Sequence, residues 1–279
     1  MRPRAFTLVE LLVVISIIAL LAALSSLALM GSRERARTVA CCANIRHLAL
    51  CLCQYDSDHG SLPYGFEFAI PGVSQAMPPG GFIGNGRRHV PGWWWFHYTS
   101  AIRNRSREEL KLLQCPSKRL EDPQLQSDPV WGNYGVNRSL CKSNWAPDAY
   151  GKSFVGTPLS LGRLARPGST LLLVDNGYSL ACWWHATAEP PVKLKGIWPD
   201  DVAYIPGLEI NKDRIVWPGQ SYDAKGGRHP NRTVNVGFAD GHAETKRASE
   251  LLMTKTESGG YTNTVLWQDG LRVSPSSNP

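Results

Sequence analysis

Charge is scarce in this sequence: 19% of its 279 residues are Asp, Glu, Lys or Arg, against 43% hydrophobic. A disordered chain needs the opposite balance. Cysteine is scarce too. Seven are too few for a small disulfide scaffold, and the odd number leaves at least one without a partner in the same chain. The net charge is +7, yet no run of five or more basic residues occurs, so the chain has a mild attraction to polyanions and no specific nucleic-acid partner is expected. There is no Gly-x-Ser-x-Gly elbow, phosphate-cradling Gly loop or Cys-x-x-Cys pair. Enzyme activity therefore has no positive support, and the expectation is a protein that is not an enzyme. No internal repeat is found. Long apolar runs are absent everywhere except at the start, which excludes a multi-span membrane protein. Gly (26) and Pro (20) are instead abundant, which excludes a long coiled coil.

The one long apolar run is the most informative segment. Leu11 to Met30 carries no charge and only Ser16, Ser25 and Ser26 as polar residues. As a helix rising about 1.5 Å per residue, these residues span roughly 30 Å, the thickness of a bilayer core. A secretory signal would have a shorter apolar region, although Ala22, Ala23, Ser25 and Ser26 imitate a cleavage site and keep ordinary secretion open. Arg2 and Arg4 favour a cytoplasmic N-terminus, and Arg33, Arg35 and Arg37 beyond the span dilute that preference. Glu10 is the exception in the run, because a carboxylate in lipid needs a partner. Cleavage before Phe6 would supply one, a new α-amino group four residues away on the same helical face or from a neighbouring subunit. The alternative is that Glu10 sits at headgroup level.

The run Ala5-Phe6-Thr7-Leu8-Val9-Glu10-Leu11-Leu12-Val13-Val14-Ile15 resembles the processing site of type IV prepilins and type II secretion pseudopilins. The resemblance implies cleavage by a prepilin peptidase between Ala5 and Phe6, N-methylation of Phe6, and a role for Glu10 in assembly. Ala5 stands where the family usually has Gly. The implied partners are that peptidase, other pilin-like subunits in a homo- or hetero-oligomeric filament or pseudopilus, and membrane lipid. The implied location is the inner membrane, single-pass, with a cytoplasmic N-terminus and an extracytoplasmic head. Residues 1–5 then form the leader, 6–30 the membrane and assembly helix, 31–60 its amphipathic continuation, and 61–279 the head.

Ile45, Leu48, Ala49 and Leu52 recur at helical spacing and carry the helix onward with one apolar face. Asp58-His59-Gly60 with Pro63 marks its end. The predicted helix, Phe6 to Asp58, is about 80 Å long. The segment Gln54 to Pro63 also resembles the helix exit of pseudopilin-like proteins. From Ser61 onward, short segments separated by turn signals predict a β-rich head. Ser169 to Val174 reads as a buried strand and Thr233 to Phe238 as a half-buried one with Val234, Val236 and Phe238 on one face. Arg107 to Leu113 and Ala248 to Met253 read as short helices, Pro71 to Pro91 as a long surface loop, and Ser274 to Pro279 as a frayed tail. The whole is an α+β chain, a long N-terminal helix packed on a β-rich globular head.

The densest polar motif, residues 226–245, runs from Gly226-Gly227-Arg228-His229-Pro230 to Ala239-Asp240-Gly241-His242-Ala243-Glu244. Asp240-Gly241 predicts a hairpin turn that places Phe238 opposite Ala243. The order of His229, Asp240 and Gly241 resembles the signature of a prepilin-like family named for His, nine spacers and Asp-Gly, with ten spacers here. Cys115-Pro116-Ser117 and Asn133 to Asn137 resemble segments found between the two ends of that family. His229, Asp240, His242 and Glu244 offer metal ligands. The competing structural reading has Asp240 closing its own turn and His229 tying down a loop. No cofactor is expected, although the resemblance allows a structural calcium ion with unassigned ligands.

Trp93-Trp94-Trp95, Trp183-Trp184, Trp131, Trp145, Trp198, Trp217 and Trp267 offer either core or sugar-stacking faces. An anchored metal-binding or glycan-binding protein is therefore the alternative function. Cys41, Cys42, Cys51 and Cys53 lie on the predicted helix and do not face one another. Cys115 and Cys141 read equally as a bridged pair or as buried thiols.

Overall fold

The fold comes from a computed structural model described for residues 7–68, 82–83, 87–88, 92–98, 111–144, 154–191, 203–214, 216 and 219–268. Helix α1 (Leu8–His59) runs without interruption for 52 residues. Thr7 caps its start, and Gly60 ends it at φ +76°, donating its N–H to Asp56 O at 2.7 Å. A left-handed residue at that position costs glycine nothing, which is why the helix stops there.

The two halves of α1 meet different surroundings. From Leu8 to Leu24 the large apolar side chains are all exposed, 45% to 80%. In the second half Cys41, Ile45, Leu48, Ala49 and Leu52 are fully buried against the head.

The head is built on a five-stranded mixed sheet ordered β7-β5-β6-β8-β9. Its strands are β5 (Tyr134–Asn137), β6 (Leu171–Asp175), β7 (Leu180–Ala181), β8 (Thr233–Phe238) and β9 (Ala243–Arg247). The β5–β7 pair is parallel and the others are antiparallel. Before them come β1 (Phe66–Phe68), β2 (Phe82–Ile83), β3 (Arg87–Arg88) and β4 (Gly92–Trp94), paired β1 with β4 and β2 with β3.

Both faces of the sheet are covered. Leu172, Leu173 and Tyr134 join the core under α1, whereas Leu171, Val174, Val234, Val236 and Phe238 join a second core with Trp183, Trp184 and Trp267. The break in alternation at Leu171–Leu173 coincides with a register shift against β8. An extra residue there puts neighbours on the same face and leaves Asp175 facing α1.

Two sequence expectations are corrected. Strand β8 is buried on both faces, because α1 occupies the side read as exposed. Ala239, Asp240 and Gly241 separate Phe238 from the His242 that opposes it, and Ala243 pairs with Gly237. Gly241 supplies the positive φ, +90°, that this loop requires. Of the two readings left open for Cys115 and Cys141, the structure shows the buried free thiols. The segment read as a surface loop contains the short β2–β3 ladder, and the rest of Pro71 to Pro91 lies outside the described residues. The same holds for Arg107 to Leu110 and Ser274 to Pro279, whereas Ala248–Leu251 is a 3₁₀ turn, as its pattern predicts.

Candidate functional site

Two sites matter, one at each end of the helix-to-head connection. At the N-terminus, Thr7 and Glu10 form a reciprocal cap. The Thr7 hydroxyl accepts the Glu10 N–H at 3.2 Å, and Glu10 Oε2 accepts both the Thr7 N–H and the Thr7 hydroxyl at 2.8 Å. A carboxylate in the first turn also meets the positive end of the helix dipole. Downstream, the Ser16 hydroxyl donates to Leu12 O at 2.7 Å, so the polar group nearest the centre of the apolar half is satisfied within its own helix. Ala5 and Phe6 lie outside the described residues.

The second site is polar, buried, and lies where α1 crosses the sheet. Arg228 is fully buried and saturates its guanidinium. Its Nε and Nη2 donate to the two carboxylate oxygens of Asp223 at 3.0 and 2.6 Å, Nη1 to Asn133 O and Asp175 Oδ1 at 2.8 and 3.5 Å, and Nη2 to Asn176 O at 3.2 Å. The bidentate fork explains why arginine occupies this position.

His229 stands next to it, ahead of β8. Its Nε2 lies 3.1 Å from Asp175 Oδ2, 3.0 Å from Asn235 Nδ2 and 3.8 Å from Cys115 Sγ, while Nδ1 faces the Thr38 hydroxyl at 3.2 Å. Cys41 Sγ, from α1, lies 3.1 Å from Cys115 Sγ and 3.2 Å from Asp175 Oδ1. The Asn235 N–H donates to Asp175 Oδ2 at 2.6 Å. Burial alone would lower the His229 pKa, but the Asp175 carboxylate outweighs it and carries the ring up to about 10. Burial raises the Cys115 thiol, yet the hydrogen bond from Cys41 and the adjacent His229 and Arg228 bring it down to about 6. Cys41 itself is pushed up, chiefly by burial.

The ligand set read from sequence does not converge. His229 precedes β8 and Asp240 follows it, and six extended residues span about 20 Å. Asp240 instead closes its own turn, with Oδ1 accepting the His242 N–H at 3.1 Å and facing His242 Nδ1 at 2.5 Å. Glu244 pairs with Lys246 at 2.8 Å. Thus His229, Asp240 and Gly241 bracket one strand and serve different ends of it. The group that does converge, Cys41, Cys115, Asp175 and His229, was invisible as a set because its members come from four separate segments. An acid ending the apolar run Leu171 to Val174 was the available signal for Asp175. Trp94, Trp95, Trp131, Trp183, Trp184 and Trp267 are core residues, whereas Trp145, Trp198, Trp217 and the side chain of Trp93 lie outside the described residues.

Among the described residues α1 is long and apolar enough to cross a membrane and leads into an α+β head, which fits a single-pass membrane anchor. The more specific signal lies at its start. Residues 1–26 match the family described as the prokaryotic N-terminal methylation motif, so the chain is a prepilin-type protein by its N-terminus. Comparison with curated proteins and with solved structures gives no match.

Proposed function

We propose that this chain is a structural pilin-like subunit, cut by a prepilin peptidase between Ala5 and Phe6, N-methylated on Phe6, and assembled through α1 into a filament or secretion-related pseudopilus. The observation that carries this reading is the division of α1, an exposed apolar first half behind a methylation motif and a second half seated on the head. In the membrane the first half faces lipid; in a filament the same surface packs against the helices of other subunits. Glu10 then exchanges its local Thr7 partner for the Phe6 amine of its own or a neighbouring subunit. Subunits related head to tail extend an open helix. The head faces out of the cytoplasm and acts as a structural body, with no catalysis of its own.

The test is subunit cross-linking in the native membrane. Leu12→Cys in the full-length chain, beside the unsubstituted chain with its seven native cysteines, should give an added oligomer ladder only when the chain is processed. An unchanged monomer band with and without processing would overturn the assembly reading.

A further inference from the structure

We propose that Cys41, Cys115, Asp175 and His229 form a structural zinc site that clamps α1 to the head. The four side chains are buried and their ligand atoms all lie within 4.8 Å of one another. Zn–S bonds of about 2.3 Å and Zn–N or Zn–O bonds of about 2.0 Å set tetrahedral edges of roughly 3.8 Å for S–S, 3.5 Å for S to N or O, and 3.3 Å for N–O. The corresponding separations are 3.1 Å for Cys41 Sγ to Cys115 Sγ, 3.2 Å for Cys41 Sγ to Asp175 Oδ1, 3.8 Å for Cys115 Sγ to His229 Nε2, and 3.1 Å for His229 Nε2 to Asp175 Oδ2. Seating an ion would open the Cys41–Cys115 edge by about 0.7 Å and the two Asp175 edges by about 0.2–0.3 Å, would draw Cys115 and His229 together by about 0.3 Å, and would turn one Asp175 oxygen to serve as the single carboxylate corner.

The surroundings fit an ion as well. His229 Nδ1 is engaged by the Thr38 hydroxyl, which leaves Nε2 for the metal. Asp175 is oriented by the Asn235 N–H and by Arg228. Such outer partners fix the orientation of metal ligands. Charge also balances: a divalent ion and Arg228 supply three positive charges, and two thiolates, Asp175 and Asp223 supply four negative ones. Lys118, buried near Cys115, is the cation that offsets the remainder when protonated. Binding releases two protons to solvent, one from the Cys41 thiol and one from His229 Nε2, where the metal takes the proton's place.

The donor set selects the metal. Calcium takes six to eight oxygen ligands, which this site does not offer. Two sulfurs, one imidazole and one carboxylate suit zinc, and four protein ligands leave no open position for catalysis. Cys41 comes from α1, Cys115 from the loop before β5, Asp175 from the end of β6 and His229 from the lead into β8. A single ion would therefore join the helix to three parts of the head.

The test uses the full-length chain purified in detergent under reducing conditions, without chelator. Elemental analysis should find one zinc per chain, and cobalt substitution of the wild-type chain should give thiolate-to-cobalt charge transfer with tetrahedral d–d bands. Cys115→Ser and His229→Gln should drop the zinc content at least tenfold, whereas His242→Gln should retain it. Cys115→His, which keeps a ligand, separates loss of metal from loss of fold by restoring zinc. A wild-type chain without zinc and without the cobalt spectrum overturns the proposal. So does a native chain whose Cys41 and Cys115 are joined as a disulfide.

Discussion

Gly237 of β8 lies directly beneath Ile45 of α1: a Cβ on this glycine would come within 2.9 Å of Ile45 Cγ2 and 2.6 Å of Leu173 Cδ2. The contact sets how closely the helix approaches the sheet. Gly237→Ala must push one of these buried side chains aside, and overpacking of this kind costs about 1–3 kcal/mol. A urea titration of the detergent-solubilised chain should show the midpoint fall; an unchanged midpoint would mean that the helix rides on the sheet loosely.

Arg228 fills a second unforgiving position. Removing one partner of a buried ion pair leaves the other charge uncompensated, so Arg228→Met should cost about 3–5 kcal/mol. Arg228→Lys should not restore stability, because an ammonium cannot reproduce the fork that reaches Asp223, Asn133 and Asn176 together. Thermal unfolding of the two variants beside the parent checks this, and a lysine variant as stable as the parent would contradict it.

Lys118 makes stability depend on pH. Burial, with Arg228 adding to it, lowers its pKa from 10.5 to about 7, against the pull of Asp128, Asp223 and Cys115. Between these two values the unfolded chain binds a proton that the folded chain does not, so this group's contribution to stability rises with pH and is least favourable below pH 7. Lys118→Met keeps Asp128 O supplied by the Asn133 amide at 3.1 Å. The variant should therefore exceed the parent in stability at pH 7, on the order of a few kcal/mol, with the gap closing toward pH 10. Groups that do not interact with Lys118 titrate alike in both proteins and cancel in the difference. A gap that does not change with pH would refute the assignment.

If Glu10 acts in assembly as proposed, its replacement separates processing from assembly. Glu10→Leu should still be cut before Phe6, because the carboxylate is not part of the peptide bond being cleaved. It should fail to enter the filament, because the Phe6 amine then has no counter-charge in an apolar bundle. Blotting of membrane and filament fractions for the processed chain distinguishes the two steps. Equal incorporation of the variant would remove Glu10 from the assembly mechanism.

Much of this architecture is legible locally. Ile45, Leu48, Ala49 and Leu52 declare a buried helical face by spacing alone, and all four are fully buried. Gly60 declares the helix stop, and the Thr233 to Phe238 alternation declares β8 to the residue. What failed was long-range. The second face of β8 is buried because α1 lies on it, and the only trace in the sequence was a glycine inside a strand. Asp240-Gly241 marked the turn but not its length, which shifted Phe238 from Ala243 to His242. His229 was singled out with the wrong partners, because Cys115, Asp175 and Thr38 lie 114, 54 and 191 residues away in sequence. Nothing in a periodicity connects residues that only the finished sheet and helix bring together.

The most direct measurement is the mass of the mature N-terminal peptide isolated from the native membrane. A peptide beginning at Phe6 and carrying an N-methyl group is the predicted result. An intact Met1 leader, or a terminus after Ser26, would contradict the account.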